Sequence, residues 1–194
     1  HLSDSHQTDI VYDPKLASQL LDEAGYVKKP DGFRFTLNYK TTPSRDGIEM
    51  AQIFKSMLAK VGIHLKLDIV DLGVFLSTTK KGMFDLYNSR WIGVADGSIF
   101  YRTLHSASGD NRVGYRNLEV DHLIDSSIQT LSVDARRKKL VDVQKIMSRD
   151  LPYFPLWFWT NALLIRKDLV GLEPSELSLS GGYQPLTRLR RVSQ

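Results

Sequence analysis

The 194 residues are 42% hydrophobic and 25% charged, a balance that suits one ordinary globular domain, or one domain with an appended piece. Cysteine is absent, which excludes disulfides, thiolate metal sites and cysteine nucleophiles and leaves the compartment open. The formal charge of +4 is concentrated in Arg136-Arg137-Lys138-Lys139 and in Arg188 to Arg191.

Asp134, Asp142 and Asp150 offset the first basic cluster along its own helix, so it reads as a solvated helix face. Aromatic side chains are not interleaved with either cluster, as a stacking platform for single-stranded nucleic acid requires. No apolar run approaches the roughly 18 to 20 residues of a membrane span, and His1 to His6 contain no apolar signal core. The chain therefore reads as soluble, with any leader removed or lying outside it.

Asp13 caps and Pro14 opens a first helix, in which Leu16, Ala17, Leu20, Leu21 and Ala24 follow the 3.6-residue period before Gly25 ends it. Phe33 to Tyr39 alternates as a half-buried strand. Ile48, Ala51, Phe54, Leu58 and Val61 then recur at helical spacing, Gly62 stops that helix, and Ile63 to Val70 alternates again. These segments make a strand, helix, strand unit, expected to be parallel and right-handed. A short helix around Val74 to Lys80 leads through Gly82 into a further strand starting at Phe84.

The rest of the chain reads as mainly helical. Asn117 caps a helix carrying Val120, Leu123, Ile124 and Ile128, and a longer helix from about Asp134 to Arg149 buries Leu140, Val143, Ile146 and Met147. Pro152 and Pro155 forbid a helix at the start of Leu151 to Ile165, whose dense aromatics predict an extended, buried run. The final thirty or so residues, rich in Gly, Pro and Ser, read as an irregular tail. The alternation of strands and helices predicts an α/β fold, a sheet flanked by helices.

Catalytic chemistry leaves little trace. The five histidines, His1, His6, His64, His105 and His122, show neither i, i+4 pairing nor metal-ligand spacing. There is no Gly-x-Ser-x-Gly elbow, no phosphate-binding loop, and no Gly-x-Gly-x-x-Gly after a strand. Asp68, Asp71 and Asp85 do not set up paired carboxylates for glycoside chemistry. The readings are therefore no metal, no cofactor and no enzyme.

The stretch Phe84 to Phe100 is the strongest candidate for a site. It reads as a strand that breaks into a Gly-rich turn and then a helix, and an open α/β sheet places ligands at such carboxyl ends. Arg90 and Trp91 fall at the strand end, where a guanidinium and an aromatic face can converge on a small polar ligand, and Asp96 is placed to cap the following helix. A plain strand end with a cap is the competing reading.

Tyr12-Asp-Pro-Lys-Leu-Ala-Ser-Gln-Leu-Leu-Asp-Glu-Ala-Gly-Tyr26 resembles a signature of the extracytoplasmic solute-binding proteins of dipeptide, oligopeptide and nickel ABC transporters, bacterial solute-binding protein family 5. Further matches follow in the family's order. Lys60-Val-Gly-Ile-His-Leu-Lys-Leu67 is similar to its helix end, Val-Gly-Ile and strand. Lys81 to Leu86 resembles its Gly-x-Phe-Asp strand entry, and Trp91-Ile-Gly93 its Trp-x-Gly turn. Asn111 and Tyr115, Asn117 to Asp121 with Leu123 and Ile124, Arg136 to Lys139, and Asp150-Leu-Pro-Tyr153 complete the series. The likeness runs from about Tyr12 to Asn161.

The resemblance implies a type II periplasmic-binding-protein-like lobe with a mixed, mostly parallel sheet. Because family members are two-lobed and longer, it implies a C-terminal lobe over residues 1–160, then a return segment over 161–194 that completes the other lobe. The implied function is capture of a peptide or other small polar solute between lobes and delivery to a membrane permease, in the periplasm or elsewhere outside the cytoplasm. The implied ligand-facing residues are Arg90, Trp91, Val94, Asp96, Asn111 and Trp159.

One departure bears on the ligand. Peptide-binding members commonly carry, directly after the Trp-x-Gly turn, an aspartate that pairs with the ligand's α-ammonium group, and here that position is Val94. Either Asp96 substitutes from a shifted turn, or the ligand lacks an amino terminus, as a sugar, an opine-like compound or a metal chelate would. A hydrolase on a similar fold and a basic nucleic-acid-binding domain are the remote alternatives.

Overall fold

The computed structural model describes residues 11–91, 96–157, 165–171 and 188–191. The first helix, α1 (Pro14–Glu23), starts where the Asp13 carboxylate accepts the Lys15 and Leu16 N–H groups at 2.9 Å. Gly25, with φ +84°, takes the left-handed conformation that lets the chain turn away behind it. Strand β1 (Phe35–Thr41) leads to α2 (Arg45–Lys60), whose first turn donates the Gly47 N–H to the Ser44 hydroxyl at 3.2 Å. Strand β2 (Ile63–Ile69), α3 (Leu72–Lys80) and β3 (Leu86–Tyr87) follow.

In the mainly helical part, α4 covers Ser98–Leu104, α5 Leu118–Gln129 and α6 Val133–Asp150. Asn117 caps α5, accepting from the Glu119 and Val120 N–H groups, as its position in the sequence predicts. Ser132 rather than Asp134 opens α6, through its hydroxyl to the Ala135 N–H. Two short strands, β4 (Leu169–Val170) and β5 (Arg190–Arg191), pair antiparallel. That pairing falls in the segment expected to be irregular; the Asp168 carboxylate ties it together by accepting from Arg166 and Arg191.

The main sheet has the order β2-β1-β3 and is parallel throughout. Its register runs from Phe35 opposite Ile63 to Thr41 opposite Ile69, which places Lys40 beside Asp68, and these two form an ion pair. Tyr39, Ala51 and Leu65 are buried between β1, α2 and β2, with Leu37, Phe54, Leu58 and Leu67 packed around them. A separate core joins α4, α5 and α6 through Phe100, Leu104, Val120, Ile124, Leu140, Val143 and Ile146.

Several expectations are corrected. The strand expected to continue from Phe84 to the turn is only Leu86–Tyr87. At its start, the Asp85 carboxylate takes the Asn38 N–H at 2.7 Å and its side-chain amide at 2.8 Å, so a side chain rather than a strand carbonyl meets that N–H. Residues 151–157 form no strand, and Leu151, Phe154, Leu156 and Trp157 are exposed rather than buried; residues 158–164 of that run lie outside the described residues. Ile128 also faces solvent.

The apolar stripe of α1 buries no residue, and Leu16 and Leu20 are exposed. A charged side chain from the residue just before β1 holds this helix instead. Arg34, 5% exposed, donates Nε to the Val61 carbonyl at 2.9 Å and Nη2 to the Ser18 carbonyl at 3.2 Å. Its Nη1 bonds the Asp22 carboxylate and the Tyr26 carbonyl. One guanidinium thus joins α1, the loop after it and the end of α2, using the fork geometry that suits Arg to buried pairing.

Candidate ligand-binding wall

Beyond β3 the chain passes Asn88, whose amide contacts the Met50 sulfur at 3.4 Å, and reaches Arg90 and Trp91. Arg90 is exposed and Trp91 partly buried. Two guanidinium groups lie over the Trp91 ring, that of Arg102 at 4.7 Å from the ring centroid and that of Arg112 at 5.8 Å. Each contact of this kind is worth about 0.5 to 2 kcal/mol according to its desolvation.

Both arginines are braced. Arg102, on α4, donates Nε and Nη2 to the same Asp110 oxygen at 3.0 and 2.9 Å. Arg112 donates Nη1 to the Thr79 hydroxyl at the end of α3, at 3.3 Å, while its buried Nε has no hydrogen-bond partner among the described residues. A groove of about 580 Å³ opens beside it, with Asp85, Arg112 and Tyr115 on its walls. A buried donor without an acceptor costs about 1 to 3 kcal/mol, so the Arg112 fork favours any oxygen that reaches it.

The loop carrying Arg112 is itself held tightly. Asn111 donates its amide to the Tyr115 carbonyl at 2.8 Å and the His105 carbonyl at 3.3 Å, and accepts the Tyr115 N–H at 3.2 Å. The buried Asp121 accepts from the Ser106 N–H at 2.9 Å and hydroxyl at 2.5 Å. His105 Nδ1 accepts the Ala107 N–H at 3.1 Å. Its Nε2 lies 3.3 Å from an Asp125 oxygen and its ring stacks on Tyr101 at 4.6 Å.

Asp96 sits one residue ahead of Gly97, the residue at the start of α4, and accepts the Ser98 N–H at 2.9 Å. Hydrogen bonds from Ser98, then the charge of Arg136, hold its carboxyl below the usual range, so it is ionised at neutral pH. Gly97 rests on the core: a Cβ there would lie 2.3 Å from Leu140 Cδ1. The turn is therefore seated against α6 with no room for a larger residue unless Leu140 moves.

Of the residues singled out in the sequence, Trp91 is joined to Arg102 and Arg112, Asp96 marks the start of α4, and the amide of Asn111 is engaged within its own loop. Val94 and Trp159 lie outside the described residues. Arg102 and Arg112 were not anticipated; the only hint was that Arg112 directly follows the motif residue Asn111.

Tyr115 ties this loop to the end of α6, donating its hydroxyl to Asp150 at 2.6 Å. Burial first, then the bond to Asp150, pushes its pKa up to about 12, and burial raises Tyr39 to about 12 as well. A phenol whose folded pKa is raised stabilises fully below its unfolded value near 10 and loses that contribution as pH climbs through the folded value. Stability is thus expected to fall between about pH 10 and 12, with both phenols ionising only as the chain unfolds. Phenolate absorbance followed beside circular dichroism checks this; in Tyr115→Phe the alkaline loss shrinks, and an unchanged profile would contradict the assignment.

The parallel sheet flanked by helices has the fold of the type II periplasmic-binding-protein class, to which its similar solved structures belong. Residues 2–112 match the family described as bacterial extracellular solute-binding proteins, family 5 Middle, more than half of the chain, and the chain belongs to that family. It is 26% identical over 152 residues to the periplasmic oligopeptide-binding protein OppA of Salmonella typhimurium, covering 77% of this chain and 27% of that protein. It is 28% identical over 158 residues to the periplasmic murein peptide-binding protein MppA of Escherichia coli, covering 80% and 29%. Among solved structures, the ABC transporter-associated periplasmic binding protein DppA from Helicobacter pylori in complex with peptide STSA aligns with TM-score 0.67 and 28% identity, covering 78% of this chain and 30% of that one. The chain thus spans under a third of the length of these relatives.

Proposed function

We propose that this chain is the C-terminal lobe of the substrate-binding component of an ABC importer, which closes with a second lobe on a peptide or other small polar solute and delivers it to a membrane permease. Residues 1–160 form the lobe, and residues 161–194 return to complete its partner lobe. The observation that carries the reading is Trp91 under the guanidinium groups of Arg102 and Arg112, at the strand end of a family 5 lobe. Such a site binds without covalent chemistry: hinge closure removes water and strengthens each polar contact with the ligand. The periplasmic relatives support an extracytoplasmic location.

Arg90, Trp91, Val94 and Asp96 form the wall in this reading, Asn111 fixes the loop behind it, and Trp159 comes from the crossing segment. Peptide is the favoured ligand class, because OppA and MppA are named for peptides and DppA is solved with one. Val94 cannot take an ammonium group, so Asp96 supplies that charge two residues later. Asp96→Asn keeps an acceptor for the Ser98 N–H and removes the charge. In the full-length protein it is expected to weaken peptides with a free amino terminus by about ten- to a hundredfold, the range of a charge-assisted bond. N-acetylated peptides are expected to bind it as they bind the parent. Calorimetric titration of both peptide forms decides; equal losses for the two would remove Asp96 from ammonium recognition.

A further inference from the structure

Only Thr130, Leu131 and Ser132 join α5 to α6, and the tip they form carries the most exposed aliphatic side chain among the described residues. Leu131 is 94% exposed, Val133 75% and Ile128 62%. The tip is held in place. The Arg136 guanidinium donates twice to the Thr130 carbonyl, at 3.2 and 3.1 Å, the Thr130 hydroxyl bonds the Ser126 carbonyl at 2.7 Å, and Ser132 caps α6. The aliphatic side chains are thus fixed outward, with no described element packed over them.

Arg136, Arg137, Lys138 and Lys139 follow at once, with Asp134 beside them in sequence and the charge of Arg136 shared with Asp96. Asp142, further along α6, is paired with Lys145 at 2.7 Å. A solvated helix face accounts for the cations but not for the aliphatic residues beside them. The combination matches an interfacial membrane contact, in which apolar groups enter about 5 to 10 Å and cations meet anionic lipid. A specific protein partner usually needs about 800 Å² from each side, more than three side chains on a short turn supply.

We infer that the α5–α6 tip is a peripheral docking point for an anionic phospholipid surface, with Ile128, Leu131 and Val133 entering the boundary between headgroups and acyl chains and Lys138 and Lys139 facing lipid phosphates. This is independent of the ligand reading, since none of these residues belongs to the Trp91 wall.

The test is co-sedimentation of the full chain with phosphatidylglycerol-rich vesicles and with pure phosphatidylcholine vesicles. Binding is expected to the first alone and to weaken as salt rises. Leu131→Ser with Val133→Ser, and separately Lys138→Glu with Lys139→Glu, are each expected to reduce it roughly tenfold; circular dichroism melting checks that the folds are kept. In a Leu131→Trp variant, emission shifts to the blue on the anionic vesicles relative to the parent chain. No sedimentation with anionic vesicles, binding that the serine pair leaves intact, or an unshifted Leu131→Trp emission would overturn the proposal.

Discussion

Replacing Arg34 with alanine is expected to release α1 from the sheet and to lower the stability of the chain by about 3 kcal/mol. The figure follows from the Val61, Ser18 and Tyr26 carbonyls that lose a donor, at roughly 1 kcal/mol each. Asp22 adds little, because half of its side chain is exposed and it rehydrates once its partner is gone. No residue of α1 is fully buried, so apolar packing replaces little of what the fork supplies. Hydrogen exchange should therefore show α1 amides losing protection while β1 and β2 amides keep theirs. Arg34→Lys is expected to recover only part of the loss, since an ammonium group cannot span carbonyls on separate elements. Unchanged protection in α1 would mean that something other than Arg34 holds the helix. The same pair gives a pH signature: the bond from Arg34 holds the Asp22 carboxyl below its ordinary value. The pair's contribution is present above the ordinary carboxylate range and is lost as pH falls through the lowered value.

Leu104→Ala is the second large effect. Leu104 is 0% exposed and packs with Phe100, Val120, Ile124 and Val143 in the core that joins α4, α5 and α6. Deleting most of such a side chain costs about 2 to 5 kcal/mol, according to how far the cavity collapses. The loss reaches the wall, because α4 also carries Arg102, which lies over Trp91, and begins at the turn seated on Leu140. Denaturant unfolding followed by tryptophan emission measures both. Ile128→Ala, on the exposed side of α5, is expected to stay within about 0.5 kcal/mol of the parent. Equal costs at Leu104 and Ile128 would contradict this account of the core.

Local chemistry made much of the fold legible. Asp13 with Pro14, Asn117, and the alternation of β1 and β2 act within a few residues of themselves, so they predict their elements whatever lies elsewhere. Periodicity shows which face of a helix is apolar but not whether anything covers it, which is why the stripe of α1 contains no buried residue and Ile128 faces solvent. β3 begins only at Leu86, where Asp85 reaches across to Asn38, a contact 47 residues away in sequence. The wall was half legible for the same reason. Trp91 stood out beside a Gly-rich turn, whereas Arg102 and Arg112 join it only through α4 and the loop held by Asn111 and Asp121. Nor did the sequence show that Asn111 spends its amide on that loop.

The central claim is that Trp91 and the residues around it face a ligand. Titration of the full-length protein with short peptides, followed by tryptophan emission and thermal melting, tests it most directly. Saturable binding with a rise in melting temperature is predicted, about 2.7 kcal/mol of added stability at a hundredfold excess over Kd. Trp91→Ala should remove the response while keeping the fold, and the isolated 194-residue chain should show little or no rise. A full-length protein whose melting is unmoved by peptides, sugars and metal chelates, or one that responds equally after Trp91→Ala, would contradict it.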